Sequence, residues 1–182
     1  MQDIVALAFD AGFSHVAELN MDAVLAMDEV RDMCRADRCH AYGHTWSCPP
    51  ACGTPEHCQK RMSAYPHGIL LQTTGSLEDD FDVEAIGRTQ LLHKKQFETL
   101  VRLVRTLDRD CLPLTAGACT ICRKCTYPTR PCRFPAKMFS SMEAYGLLVS
   151  DVCKKSGLEY YYGPKTITYS SCILTNLNIK GV

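Results

Sequence analysis

The residues best able to do chemistry in this chain are its cysteines, 12 of 182 residues. The most regular set is Cys119-x2-Cys122-x2-Cys125-x6-Cys132. Three thiolates at successive intervals of three can wrap one face of a cube, with a fourth closing from a later turn, which is the ligand logic of a four-iron, four-sulfur centre. Zinc ribbons instead use two separated C-x2-C pairs, because a tetrahedral ion takes two ligands from each hairpin. The contiguous spacing favours iron–sulfur over zinc. Pro128, Pro131 and Pro135 stiffen this loop.

The charges around it agree. Four thiolates on a cluster core leave a net charge of about −2 that must be offset. Between Cys111 and Met142 the sequence contains no Asp or Glu, but it does contain Arg123, Lys124, Arg130, Arg133 and Lys137. Compensation of a buried anion explains this single sign better than a nucleic-acid surface would, even with Tyr127 and Phe134 as stacking rings. Arg123, Arg130 and Arg133 are the candidates for raising the potential of a centre here.

The other block is looser: Cys34-x4-Cys39-x8-Cys48-x3-Cys52-x5-Cys58. Five cysteines compete for four places. Cys58 falls in the first turn of a helix, where its sulfur would tilt back toward the loop and the helix dipole favours a thiolate. The expected ligands are therefore Cys34, Cys39, Cys48 and Cys58, with Cys52 as the alternate, and either iron or zinc suits this block. His40, His44 and His57 interleave it as polar loop residues, while Cys111, Cys153 and Cys172 read as small buried hydrophobes. The radical-SAM spacing C-x3-C-x2-C does not occur. Leu112-Pro113 and Ala116-Gly117 suggest a loop before Cys119-x2-Cys122, which argues against a thioredoxin-like pair.

Elements to position these loops can be read from periodicity. Ala23, Met27, Val30 and Cys34 form a helical stripe, preceded by a strand at His15–Leu19. Thr54-Pro55-Glu56 supplies a cap, an N1 proline and an acidic first turn for a helix to Ala64. His67–Thr74 reads as a buried strand. A long amphipathic helix is expected from Val83 to Asp110, with Ile86, Gln90, Phe97, Leu100, Val101, Val104 and Leu107 inward. Ser140 and Glu143 suggest a capping box that opens a helix to Ser156, stopped by Gly157. Met142, Gly146, Val149 and Cys153 would share its inner face, with the glycine allowing a close backbone approach. Strands are expected at Leu158–Tyr162 and Thr166–Leu174. The expected fold is α+β: a small mixed sheet covered by helices, carrying two cysteine-rich loops in a single domain over 1–182 (cysteine blocks 34–58 and 119–132).

Composition removes other classes. The 20 Lys+Arg balance the 20 Asp+Glu, so no global field draws in nucleic acid or an anionic membrane. No apolar run reaches the roughly 18–20 residues of a membrane-spanning helix. The start, Met1 to Ala6, has no basic region and Asp10 interrupts its apolar stretch, so no signal peptide is expected. A reducing, cytoplasmic setting follows, in which clustered cysteines indicate metal before disulfide.

Both blocks also resemble a known family. Cys34, Cys39 and Tyr42-Gly43-His44-Thr45-Trp46-Ser47-Cys48-Pro49-Pro50 resemble the signature C-x-C…Y-G…W-x-C-P-P of the predicted metal-binding proteins called domain of unknown function 2284, widespread in anaerobic bacteria and archaea. Cys119, Cys122, Cys125, Tyr127-Pro128, Pro131-Cys132-Arg133, Pro135 and Ser141–Gly146 are similar to its second block, and Gly157-Leu158, Tyr160 and Thr166–Tyr169 to its close. The resemblance implies metal binding, with iron–sulfur clusters as occupants, and brings no reaction with it. The combined expectation is two [4Fe-4S] clusters, one per block, passing single electrons to a redox partner protein. The alternatives are a zinc-stapled interaction module and an enzyme using an incompletely ligated cluster on a small substrate.

Overall fold

The structure is a computed structural model and describes residues 3–179, so Met1, Gln2 and the last three residues of the expected domain lie outside it. In chain order it has α1 (Ile4–Asp10), β1 (His15–Glu18), a 3-10 turn (Met21–Ala23), α2 (Asp28–Arg35), α3 (Pro55–Met62), β2 (His67–Ser76) and α4 (Val83–Leu107). Then come β3 (Leu112–Thr115), β4 (Ser140–Ser141), a second 3-10 turn (Glu143–Tyr145), α5 (Val149–Lys155) and β5 (Thr166–Thr175). The strands make one mixed sheet in the order β1-β2-β5-β3-β4. Only the β3–β4 pair is parallel. The α+β class is as expected.

The centre of the sheet is the antiparallel pair β2 and β5, in register from His67 opposite Thr175 to Ser76 opposite Thr166. Successive strand residues point to opposite faces, and both faces here are covered. Ile69, Leu71 and Ile173 join Phe97, Leu100, Val101 and Val104 of α4 with Ile4, Val5 and Ala8 of α1. Leu70, Cys172 and Leu174 join Leu112, Leu114, Met62, Met142, Leu147 and Val152 on the other side. The inner face of α4 is only half apolar. Toward its N-terminus Ala85, Thr89, His93 and Gln96 are buried, whereas Leu107, expected inward, is exposed. Polar partners on the sheet explain this, as Thr73 bonds both Gln96 and His93, and Ser171 bonds His93.

Four expected elements differ, the Ala23–Cys34 helix among them. Ser140 and Glu143 do not open a helix: Ser140–Ser141 pair with β3, and Ser141 Oγ accepts the Ala144 N–H at 3.1 Å. The chain turns through left-handed Gly146 (φ 85°) before α5 begins. A Cβ on Gly146 would lie 2.9 Å from the Met27 nitrogen and 3.1 Å from the Ala26 Cα, and the Gly146 carbonyl accepts the Met27 N–H at 2.9 Å. The close approach read from the sequence is real, but it is to the backbone entering α2. Leu158–Tyr162 is not a strand, because β2 takes β5 as its partner along its full length and leaves this segment as irregular chain with one bend at Tyr160. Within it the Glu159 carbonyl and the Tyr162 hydroxyl bond the buried Gln72 side chain instead. Leu112–Thr115, read as loop, is β3; Pro113 stands near its start, where a missing donor costs least.

The helix stripe at Ala23–Cys34 divides into the first 3-10 turn and α2, and α1 is an element that periodicity did not reveal. The two cysteine loops therefore emerge between α2 and α3 and between β3 and β4, on either side of the Glu143–Tyr145 turn.

Candidate metal centre

From Ala116 to Phe139 the chain has no helix or strand, yet it is tied down from two sides. Lys94 of α4 donates to the Ala118 carbonyl (3.1 Å) and Thr120 Oγ1 (3.2 Å), and Arg105 donates to the Ala136 carbonyl at 2.6 Å. From the first loop, Trp46 Nε1 donates to the Arg130 carbonyl at 3.0 Å, and its ring meets Tyr127 edge-on at 4.9 Å. Long loops held this firmly without regular structure are usually functional.

Cys119, Cys122, Cys125 and Cys132 all line one cavity of about 570 Å³ inside this loop. Each is half-buried. Burial raises the Cys119 thiol above the ordinary value, and the other three cysteines push it the same way. That is the state in which metal must displace protons to bind. Arg123, Lys124, Arg133, His40 and His44 also line the cavity, and no carboxylate does. Arg130 is absent from this wall and lies beside Pro128, Pro131 and Trp46. Four thiols around a cavity with cationic walls fit an anionic cluster in donor set and charge.

The first block assembles differently. Cys34, Cys39 and Cys48 line a second cavity of about 290 Å³ together with Val30, Met33 and Glu143. Burial raises the Cys34 thiol, followed by Glu143 and Cys48, with Arg31 opposing. Asp37 and His40 hold left-handed backbone (φ 49° and 53°) on either side of Cys39 and leave it exposed. Asp37 Oδ1 fixes this turn by accepting the Tyr42 N–H at 2.8 Å.

Cys58 is not on that cavity. It is fully buried in the core beside Cys52, as the backward tilt from α3 places it, and both sulfurs face Arg31. Arg31 is only 7 % exposed. Its Nη1 donates to Ala144 O at 2.6 Å, to Cys58 Sγ at 3.6 Å and to Cys52 Sγ at 3.7 Å, while Nη2 donates to Gly53 O at 2.6 Å. Pairing with the neighbouring Cys52 side chain, aided by Arg31, lowers the Cys58 thiol to about 7, and the same pairing, together with burial, raises Cys52.

The two cavities adjoin, since Cys39 and Ala118 line both. Buried Ser47 links the blocks: its Oγ accepts the Cys119 N–H at 3.3 Å and lies 3.6 Å from Cys48 Sγ. Spacing within each block could not reveal this contact. Ser47, Lys94 and Arg31 contact the two cysteine blocks and were not singled out from the sequence, because their partners are distant along the chain. His57 lies apart from His40 and His44, on a third cavity with Cys52. Cys111, Cys153 and Cys172 are buried, and burial raises all three thiols. Among the described residues, no three His, Cys, Asp or Glu side chains converge on the position of a single ion, and no helix is long and apolar enough to cross a membrane.

A family model described as "Predicted metal-binding protein (DUF2284)" matches residues 17–175 of the chain. The chain belongs to this family. No curated protein and no solved structure matches it.

Proposed function

We propose that this member of the DUF2284 family is a two-centre iron–sulfur protein that passes single electrons to a redox partner protein in the cytoplasm. The observation that carries the reading is the ring of Cys119, Cys122, Cys125 and Cys132 around one cavity walled by cations. A cluster held there supplies reversible one-electron transfer. The chain's own part is to hold, tune and insulate it. Arg123 and Arg133 on the wall, with Lys94 below, favour the added electron and so raise the potential. Arg130, on a different wall, contributes less. The shared Cys39 wall and the Ser47 hydroxyl make a short covalent and hydrogen-bonded route between the two sites. Ile121 and Phe134, exposed apolar side chains at the cavity, offer the partner its contact.

A second reading rests on the first block alone. Three cysteines line that cavity, with apolar Val30, Met33 and Pro49 beside them. A centre held by Cys34, Cys39 and Cys48 keeps one position open, the arrangement of an enzyme that binds a small substrate at metal. Anaerobic purification tests both against a zinc staple. The expected product is brown, with iron and acid-labile sulfide in about equal amounts near eight each per chain. A colourless protein carrying stoichiometric zinc would overturn both readings.

A further inference from the structure

Cys52 and Cys58 share more with each other than with either cysteine cavity. Both sulfurs take a hydrogen bond from the same Arg31 nitrogen, at 3.7 and 3.6 Å. The Cys58 thiol also reaches the Cys52 carbonyl at 3.6 Å, and the Cys52 thiol donates to Ala144 O at 3.3 Å. Arg31's four partners are two sulfurs and two carbonyls, with no carboxylate among them. A guanidinium stays charged in a protein, and burying it without an anion is costly. The two sulfurs complete the set of acceptors around this buried cation.

The pair is reachable from one side. Cys52 lines a cavity of about 470 Å³ with Trp46, Thr54, His57, Arg61 and Tyr145, whereas Cys58 lies fully buried behind it. No carboxylate lines this cavity. Arg61, held by a hydrogen bond to the Tyr145 hydroxyl, gives it the charge to receive an anionic molecule, with the His57 ring beside it as a hydrogen-bonding group.

We propose that Cys52 and Cys58 are a redox-active dithiol which an anionic low-molecular-weight disulfide, such as oxidised glutathione, converts to an internal disulfide through this cavity. Cys52 sulfur attacks one sulfur of the incoming disulfide; that S–S bond breaks and the first thiol leaves with the Cys52 proton. Cys58 sulfur then attacks Cys52 sulfur, and the second thiol leaves with the Cys58 proton. The pair loses two electrons and two protons, and the incoming disulfide gains both. Arg31 favours the reduced pair because its guanidinium bonds both separate sulfurs, which are better acceptors than the sulfurs of a bridge. The inference rests on the first centre being lined by Cys34, Cys39 and Cys48, and it does not depend on which metal fills that centre.

The test equilibrates the full-length, anaerobically purified protein across ratios of oxidised to reduced glutathione. Free thiols are then trapped with a maleimide and mapped by mass spectrometry, with iron and sulfide measured on the same sample. Cys52 and Cys58 are expected to lose labelling together, joined to each other, in one two-electron transition. The transition persists in chelator-stripped protein, so failure of the iron–sulfur reading leaves it standing. Cys52→Ser, its fold checked by circular dichroism, leaves Cys58 without an internal disulfide at every ratio. Arg31→Lys moves the half-oxidation ratio roughly tenfold toward more reducing conditions. Independent labelling of the two cysteines at all ratios, or Cys58 becoming labelled only as iron leaves, would overturn the proposal.

Discussion

Cys119→Ala is expected to cost the protein about half of its iron and sulfide while the centre at Cys34, Cys39 and Cys48 stays filled. The expectation follows from the position of Cys119. The other three loop cysteines all act on its thiol, and its amide is bound to Ser47. Removing this sulfur leaves three ligands where the cavity presents four. It also loosens the loop. Between Ala116 and Phe139 no ladder or helix holds the chain, and each remaining bond from Lys94, Arg105 or Trp46 contributes only about 1 kcal/mol. Metal binding energy at such a site is largely folding energy for the segment that wraps it. Trypsin should therefore cut faster after Arg123, Lys124 and Arg133 in the variant than in the parent. Cys111→Ala, which removes a buried sulfur outside every cysteine cavity, is the matched control and keeps its iron. Equal iron in all three proteins would remove the loop cysteines from the account.

The second large effect is on stability in acid and has its origin where α4 packs on the sheet. His93 is fully buried, with Nδ1 2.8 Å from Thr73 Oγ1 and Nε2 2.6 Å from Ser171 Oγ. Phe13 meets its ring edge-on and Phe97 lies parallel to it. Burial, with a smaller push from Lys94, lowers its pKa from 6.5 to about 3. The unfolded chain takes a proton there below about 6.5, whereas the native chain refuses it until about 3. Stability is thus unaffected by His93 above 6.5 and falls as the pH drops through that window, approaching 1.4 kcal/mol per pH unit. Urea unfolding between pH 7 and about pH 4 should show a steeper loss for the parent than for His93→Gln, which keeps hydrogen-bonding atoms without the proton uptake. Parallel profiles would contradict the assignment.

What the sequence made legible follows physical locality. The Cys119-x2-Cys122-x2-Cys125 spacing needs only one loop to bring its sulfurs together, and all four cysteines of that block do share a cavity. The α3 cap was equally local: Thr54 Oγ1 accepts the His57 N–H at 3.3 Å, with Pro55 next. The first block was less legible because its grouping is set by elements distant in sequence. The Glu143–Tyr145 turn supplies the wall and the carbonyls that separate Cys34, Cys39 and Cys48 from Cys52 and Cys58. Helix α4 concealed a polar patch because an apolar stripe is what periodicity detects, and Thr73 and Ser171 reward buried His93 instead. Ser140-Ser141 satisfied a local capping pattern, but pairing with β3 took precedence. In each miss a long-range partner outweighed a short-range preference.

The most direct test of two neighbouring iron–sulfur centres is electron paramagnetic resonance of the anaerobically purified, dithionite-reduced protein. Signals are expected to integrate to about two spins per chain, broadened by magnetic coupling between the adjoining sites. Cys119→Ala should remove one of them and sharpen the other. A spectrum without any reduced-cluster signal, from a chain whose cysteine sites are filled with zinc, would contradict the two-centre reading.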